Sequence, residues 1–346
     1  MNLKEQIERC NVSKFITYIC FLLFFILLSL RVDGTITWNY GAVFFPVWLW
    51  HVCMCAGVVV GVVFYIKTKT LREDPTYRFH FSAMVQSAAF QLLLLLTEIL
   101  TAANLETRSM PWRAVFTPVY VLLPAASVGL VWSCCKKRTV EIQTVEIAGM
   151  VSFLQFIFLG IRLDGLVHWR WVIVFIPTWI LLVVFIVGVA MYSCFRLVVF
   201  RCLSSEQQGR SPLSTIVMVV CLFVMATCLI LFTALLVTRL DGKLEGQYAA
   251  IFVPLHIVVL ALLVTAVVGS PDNPWWFGMR KTFVELALDK CPILQEYMNV
   301  SYSKEGLTAT LHKDDTEDVA TLTKLPVPVN SSSPSKYPYE DIFLPD

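Results

Sequence analysis

Eight apolar runs divide this chain, at residues 15–30, 42–66, 81–103, 114–133, 147–161, 171–195, 213–237 and 249–268. A helix needs ~20 apolar residues to cross the ~30 Å hydrocarbon core of a bilayer. Most of the runs reach that length; the first and fifth are short and must borrow flanking residues such as Arg31 or Glu146. Lipid offers no partner for backbone N–H and C=O groups, so a crossing segment is a helix or a strand of a closed barrel. Nothing here alternates with the two-residue period of a barrel strand. Composition agrees: 57% of the 346 residues are hydrophobic and 15% charged, too much apolar surface for soluble domains of this size. The expected fold is all-α, a polytopic membrane bundle of about eight transmembrane helices.

A repeated motif joins these runs in pairs. Arg162, Asp164 and Gly165 are followed by Trp171 and Pro177. The same order recurs with Arg31, Asp33, Gly34, Tyr40 and Pro46, and with Arg239, Asp241, Gly242, Tyr248 and Pro254. In each copy the Asp stands thirteen residues before the Pro and an aromatic six before it. A degenerate copy keeps Trp112 and Pro118, has Glu106 near the Asp position, and lacks the Arg and the Gly. Repeats fix architecture first. Each copy is read as a helical hairpin, four hairpins making two parallel halves, 1–140 and 141–270. A segment at 271–300 and a Pro-, Ser- and acid-rich tail at 301–346 complete the chain, the tail expected to be disordered.

Charge orients the hairpins. Lys4, Arg9, Lys14, Lys67, Lys69, Arg72, Arg78, Lys136, Lys137, Arg138, Arg196, Arg201, Arg210, Arg280 and Lys281 lie in the tails and the even-numbered connections. The motif-bearing connections hold fewer cations, largely matched by acids. Short loops follow the positive-inside rule, which places both termini in the cytosol and every motif on the lumenal or exterior side. Whether the membrane is the plasma membrane or an endomembrane stays open.

Within the motif, Gly34, Gly165 and Gly242 suit the left-handed position that ends a helix, and Arg31, Arg162 and Arg239 suit its C-terminal dipole. The acids do not. An anion beside a helix C-terminus is disfavoured, so each Asp is expected within ion-pair reach of an Arg of its own or a neighbouring copy. The main reading is structural; a polar ligand site at the rim is the rival. The prolines have two readings, first-turn residues or kinks in helices that begin at the upstream aromatic. Glu98, in the third span near its outer end, costs several kcal/mol unless paired or protonated. It is the candidate coupling acid, a snorkelling or paired acid being the rival. Beyond the last run, Pro274 suits a helix start, and Trp275, Trp276, Arg280 and Lys281 suit an amphipathic helix anchored in the cytosolic interface. Cys134 and Cys135, beside a basic cluster, are candidate palmitoylation sites. Tyr339 and Ile342 fit a tyrosine-based sorting signal.

Together, the Arg-x-Asp-Gly passages with their Phe-x-Pro partners, and the run from Trp275 through Phe277 and Gly278 to Lys281, resemble the transmembrane protein 185 family, also called fragile-X-F transmembrane proteins. The likeness covers residues 1–302 and includes Ser13 to Phe15, Leu154 to Phe158 and Asn299 to Tyr302. It implies a multi-pass membrane protein and carries over no catalytic activity and no binding residues. One departure stands out: related chains tend to hold a Glu before the last Asp-Gly, where this chain has Phe232, Thr233 and Ala234.

Enzyme signatures are missing. The histidines show no ligand spacing, the eleven cysteines no C-x-x-C pair, and there is no nucleophile elbow or phosphate loop. No enzyme, metal or cofactor is expected, nor a nucleic-acid partner. Two classes remain: a non-enzymatic scaffold or adaptor acting through unidentified membrane or cytosolic proteins at its cytosolic face, and a transporter or channel for a small solute, ion or lipid. The second has the repeats and Glu98 in its favour. Against it stands the scarcity of polar residues in the other spans, since a water-filled path needs a polar lining. The orientation has a direct consequence. The sequons at Asn11, Asn299 and Asn330 all fall on the cytosolic side and stay unglycosylated in cells, and a glycosidase-sensitive mass shift removed by Asn299→Gln would reverse the topology.

Overall fold

The computed structural model describes residues 12–121, 140–202, 212–268 and 275–284, all within one compact unit. The helices are α1 (Val12–Val32), α2 (Tyr40–Lys67), α3 (Lys69–Glu73), α4 (Pro75–Thr107), α5 (Trp112–Val115), α6 (Val140–Leu163), α7 (Trp171–Val174), α8 (Ile176–Cys202), α9 (Pro212–Leu240) and α10 (Tyr248–Val268). A hairpin of β1 (Trp275–Trp276) and β2 (Met279–Arg280) follows.

Six helices among the described residues are long and apolar enough to cross a membrane: Val12–Val32, Tyr40–Lys67, Tyr77–Thr107, Ile176–Arg196, Ile216–Leu240 and Tyr248–Val267. α6, Val140–Leu163, is apolar over Gly149–Leu163 among the described residues. Beyond residue 121 the fourth apolar run lies outside the described residues. Between 11% and 39% of each spanning window is buried. Large apolar side chains such as Leu23, Phe45, Val59 and Ile180 therefore point outward, a pattern that suits lipid and not water.

The helices pack in cyclic order. α1 packs on α2, α2 on α4, α4 on α5, α5 on α6, α6 on α8, α8 on α9, α9 on α10, and α10 returns to α1. The first and last long helices among the described residues are thus neighbours.

Both proline readings are settled by where the helices begin. α2, α5, α7 and α10 start at Tyr40, Trp112, Trp171 and Tyr248, the aromatics six residues upstream of each proline. α2 and α10 run on through Pro46 and Pro254. The other two break at Phe116 (φ −87, ψ 3) and Phe175 (φ −90, ψ 10), two residues before Pro118 and Pro177, where a proline ring crowds the preceding turn and removes a backbone donor. Gln155 of α6 splints the second break. Its Nε2 donates to the Val174 carbonyl at 3.0 Å, and its Oε1 accepts from Thr178 N and Oγ1 at 3.2 and 2.8 Å. The side-chain amide thus stands in for the Thr178-to-Val174 bond that an unbroken helix would make.

The expected interfacial helix starting at Pro274 is replaced, over residues 275–280, by the β-hairpin. Phe277 and Gly278 take φ 41 and 77 at its tip, both left-handed, as a type I′ turn requires. Residues 281–284 are helical. Met279, Phe283 and Val284 are buried with Leu71 and Met84, and Tyr65, Tyr77, Phe81, Trp275 and Trp276 pack around them. Gly57 permits this docking, because a Cβ there would stand 1.8 Å from the Phe277 carbonyl oxygen. Phe277 N donates to Ser13 Oγ at 3.1 Å. Arg280 lies over the Trp275 ring, 4.9 Å from its centroid, and its Nε donates to His80 Nδ1 at 3.2 Å; burial lowers the guanidinium pKa from its ordinary value. Of the residues cast as interfacial anchors, Trp275, Trp276 and Arg280 pack on the bundle, where Gly57 of α2 lets the hairpin approach. Phe283→Ala should lower detergent-phase stability by about 3 kcal/mol, and Gly57→Val should expose the hairpin to protease; unchanged melting and unchanged cleavage would show that the hairpin is not docked.

Candidate functional site: a rim of helix caps and a buried histidine–glutamate pair

Each motif ends one helix and caps another. Gly34, Gly165 and Gly242 have φ of 75, 73 and 73. Each donates its N–H to the Arg carbonyl three residues back, and the next residue donates to the carbonyl five back, as in Thr35 N to Leu30 O at 3.0 Å. This is the Schellman geometry, in which glycine takes the left-handed turn without a Cβ penalty. It fixes Asp33, Asp164 and Asp241 as the C-cap residues, one past the last helical residue of each.

The carboxylates then reach sideways to the start of another helix. Asp33 accepts from Tyr248 N and Ala249 N at 2.6 and 2.7 Å. Asp241 accepts from Trp171 N at 2.9 Å. Asp164 accepts from Trp112 N and Arg113 N at 2.6 and 3.1 Å. Glu106 accepts from Tyr40 N at 3.2 Å. The pairing closes on itself: first motif to fourth, fourth to third, third to second, second to first. Each acid sits at a helix N-terminus, where free amides and the macrodipole favour it. Pro111 and Arg170, which precede two of these helices, supply no side-chain cap of their own.

This corrects the expected ion pairs. Asp164 has an Arg partner, Arg113 Nε at 3.6 Å. Among the described residues Asp33 and Asp241 have no such ion pair and are held by amides. The motif arginines turn inward instead. Arg31, Arg162 and Arg239 lie over Tyr40, Trp171 and Tyr248 of their own copies, 4.8–5.3 Å from the ring centroids. Arg162 and Arg239 also donate to the Val167 and Leu244 carbonyls at 3.2 and 2.9 Å.

Below this rim, Glu98 of α4 meets His51 of α2, Oε1 to Nε2 at 3.2 Å. The His51 side chain is fully buried and that of Glu98 is 25% exposed. His51 Nδ1 and Glu98 Oε2 are buried with no hydrogen-bond partner among the described residues. His51 stands eleven residues into α2, about 16 Å along its axis from Tyr40, and a ~30 Å hydrocarbon core puts that near mid-depth.

Residues 30–268 match the family described as Transmembrane Fragile-X-F protein. The chain belongs to this family. No solved structure matches it. The protein is therefore an integral multi-pass membrane protein of the Transmembrane Fragile-X-F family. The matched region takes in all four capping acids, all four prolines and the His51–Glu98 pair, and stops before the docked hairpin. Cys134, Cys135, Tyr339 and Ile342 lie outside the described residues. Cys20, Cys53, Cys55, Cys194, Cys221 and Cys228 are free thiols, and no cluster with metal-ligand potential occurs among the described residues. His51 and Gln155 carried no role at the level of sequence; their partners are distant in the chain, so no local spacing marks them.

The caps order the expected losses. Asp33→Ala and Asp164→Ala each remove two charged hydrogen bonds and should cost about 2 kcal/mol or more in detergent. Glu106→Ala removes one longer bond and should cost less. Equal melting for all three variants would count against the capping account.

Proposed function

We propose that this protein is a non-catalytic carrier that crosses the membrane eight times as four helical hairpins, with both termini cytosolic. In this reading the movement of a small solute is linked to a proton held by His51 and Glu98. One observation carries it: two ionisable side chains hydrogen-bonded to each other near the middle of a membrane bundle. Such groups are costly in lipid and mark ion or proton paths by default. As a neutral pair or as an imidazolium–carboxylate pair, the two side chains together carry no net charge. A net charge on the pair, buried in a medium of low dielectric, needs a compensating charge. A solute that supplies the compensation is thereby tied to the proton.

The competing scaffold reading places its partners on the segment 275–290 and the tail together; residues 275–284 pack on α2 and α4. The test is reconstitution in liposomes with a trapped pH dye. Solute-dependent proton movement is expected from the wild type and from a chain shortened after residue 301, and loss of it from Glu98→Gln and His51→Gln. Equal proton movement in all four proteins and in empty liposomes would defeat the carrier reading.

A further inference from the structure

The second motif departs from the other three, and a cavity opens where it does. α4 ends without glycine. Arg108 takes the left-handed turn itself, at φ 49, and its N–H bonds to Asn104 O at 2.8 Å, the simpler single-bond C-cap. A residue with a Cβ pays for that conformation, and the other three motifs reach it with glycine. The acid shifts as well: Glu106 stands one residue earlier in its helix end than the aspartates do, and it caps α2 through one amide instead of two.

Between α2, α4 and α5 lies a cavity of about 290 Å³, lined by Tyr40, Asn104, Leu105, Arg108, Met110 and Trp112. Its lining holds one cation and no acid. The neighbouring carboxylates are committed, Glu106 to Tyr40 N and Asp164 to Trp112 N and Arg113. Arg108 has no ion-pair partner among the described residues. Asn104 is 1% exposed and its Oδ1 accepts from Met110 N at 2.9 Å, so the group it has left to offer the cavity is its Nδ2 donor. Two aromatic residues, a Met and a Leu supply the remaining wall. A guanidinium fork matches one carboxylate in two-point fashion. A dianion would need a second cation, and the neighbouring ones are committed, Arg113 to Asp164 and Arg31 to the face of the Tyr40 ring.

We propose that this cavity binds a small organic monocarboxylate, with its carboxylate on Arg108 and Asn104 and its apolar body between Tyr40 and Trp112. The inference stands apart from the proton-linked reading, because its readout is binding alone.

The experiment is thermal shift and calorimetric titration of the purified full chain in detergent. The probes are benzoate, indole-3-acetate and octanoate, each compared with its neutral amide. At least one carboxylate should stabilise the protein while its amide does not. Arg108→Gly should weaken that carboxylate at least about tenfold, yet the unliganded variant should melt at or above the wild type, because glycine takes the left-handed turn without strain. Arg108→Lys, which keeps the charge and loses the fork, should fall between. Carboxylates and amides acting alike, or Arg108→Gly binding as tightly as wild type, would overturn the proposal. So would an unliganded Arg108→Gly that melts well below wild type, since Arg108 would then be a structural cap.

Discussion

The architecture hangs on a carboxylate that leaves one helix and caps another. An acid at the C-cap of a helix faces the wrong end of that helix's dipole. Asp33, Asp164 and Asp241 escape the conflict by accepting amides from the first turn of a neighbouring helix. Glycine makes this geometry available, since its left-handed turn stops the helix and frees the Asp to point sideways. The aromatic that starts each capped helix is held in turn, in three of the copies, by the Arg of its own motif. One short motif therefore specifies an ending, a beginning and the contact between them.

Polar links of this kind help choose which helices become neighbours in a membrane. Helix association in lipid lacks the hydrophobic drive of a soluble core, so packing and interhelical hydrogen bonds select neighbours. The small buried share of each span agrees with a bundle whose side chains face lipid over much of their area. Gln155 belongs to the same economy, restoring across a helix break the backbone bonding that the region of Pro177 interrupts. The docked hairpin follows a different rule. It is placed by apolar burial of Met279, Phe283 and Val284 and by the close approach that Gly57 allows.

Much of this was legible in the residues, and the rest was hidden for definite reasons. Apolar runs marked the spans, because lipid leaves a chain few alternatives. Glycine in Arg-x-Asp-Gly marked the helix ends, because that conformation has a local cost. The partner of each Asp was not legible: the acid needs donors, and sequence does not say whether a guanidinium or an amide 51 to 216 residues away supplies them. The hairpin was hidden by its own turn. Phe277 occupies a left-handed position where Asn or Gly is the usual signal, so Trp275 and Trp276 read as membrane anchors. His51 was set aside for want of local spacing, and its partner Glu98 lies 47 residues on. That pairing, two ionisable side chains hydrogen-bonded across two helices, is the observation on which the proposed carrier reading rests.

The central claim is that the first motif caps the last long helix. Residue-resolved hydrogen exchange in lipid nanodiscs tests it most directly. In the wild type the amides of Tyr248 and Ala249 should exchange slowly. In Asp33→Ala they should exchange much faster, although the substitution lies 215 residues away, while Trp112 and Arg113, capped by Asp164, keep their protection. Unchanged protection of Tyr248 and Ala249 in Asp33→Ala would contradict the account.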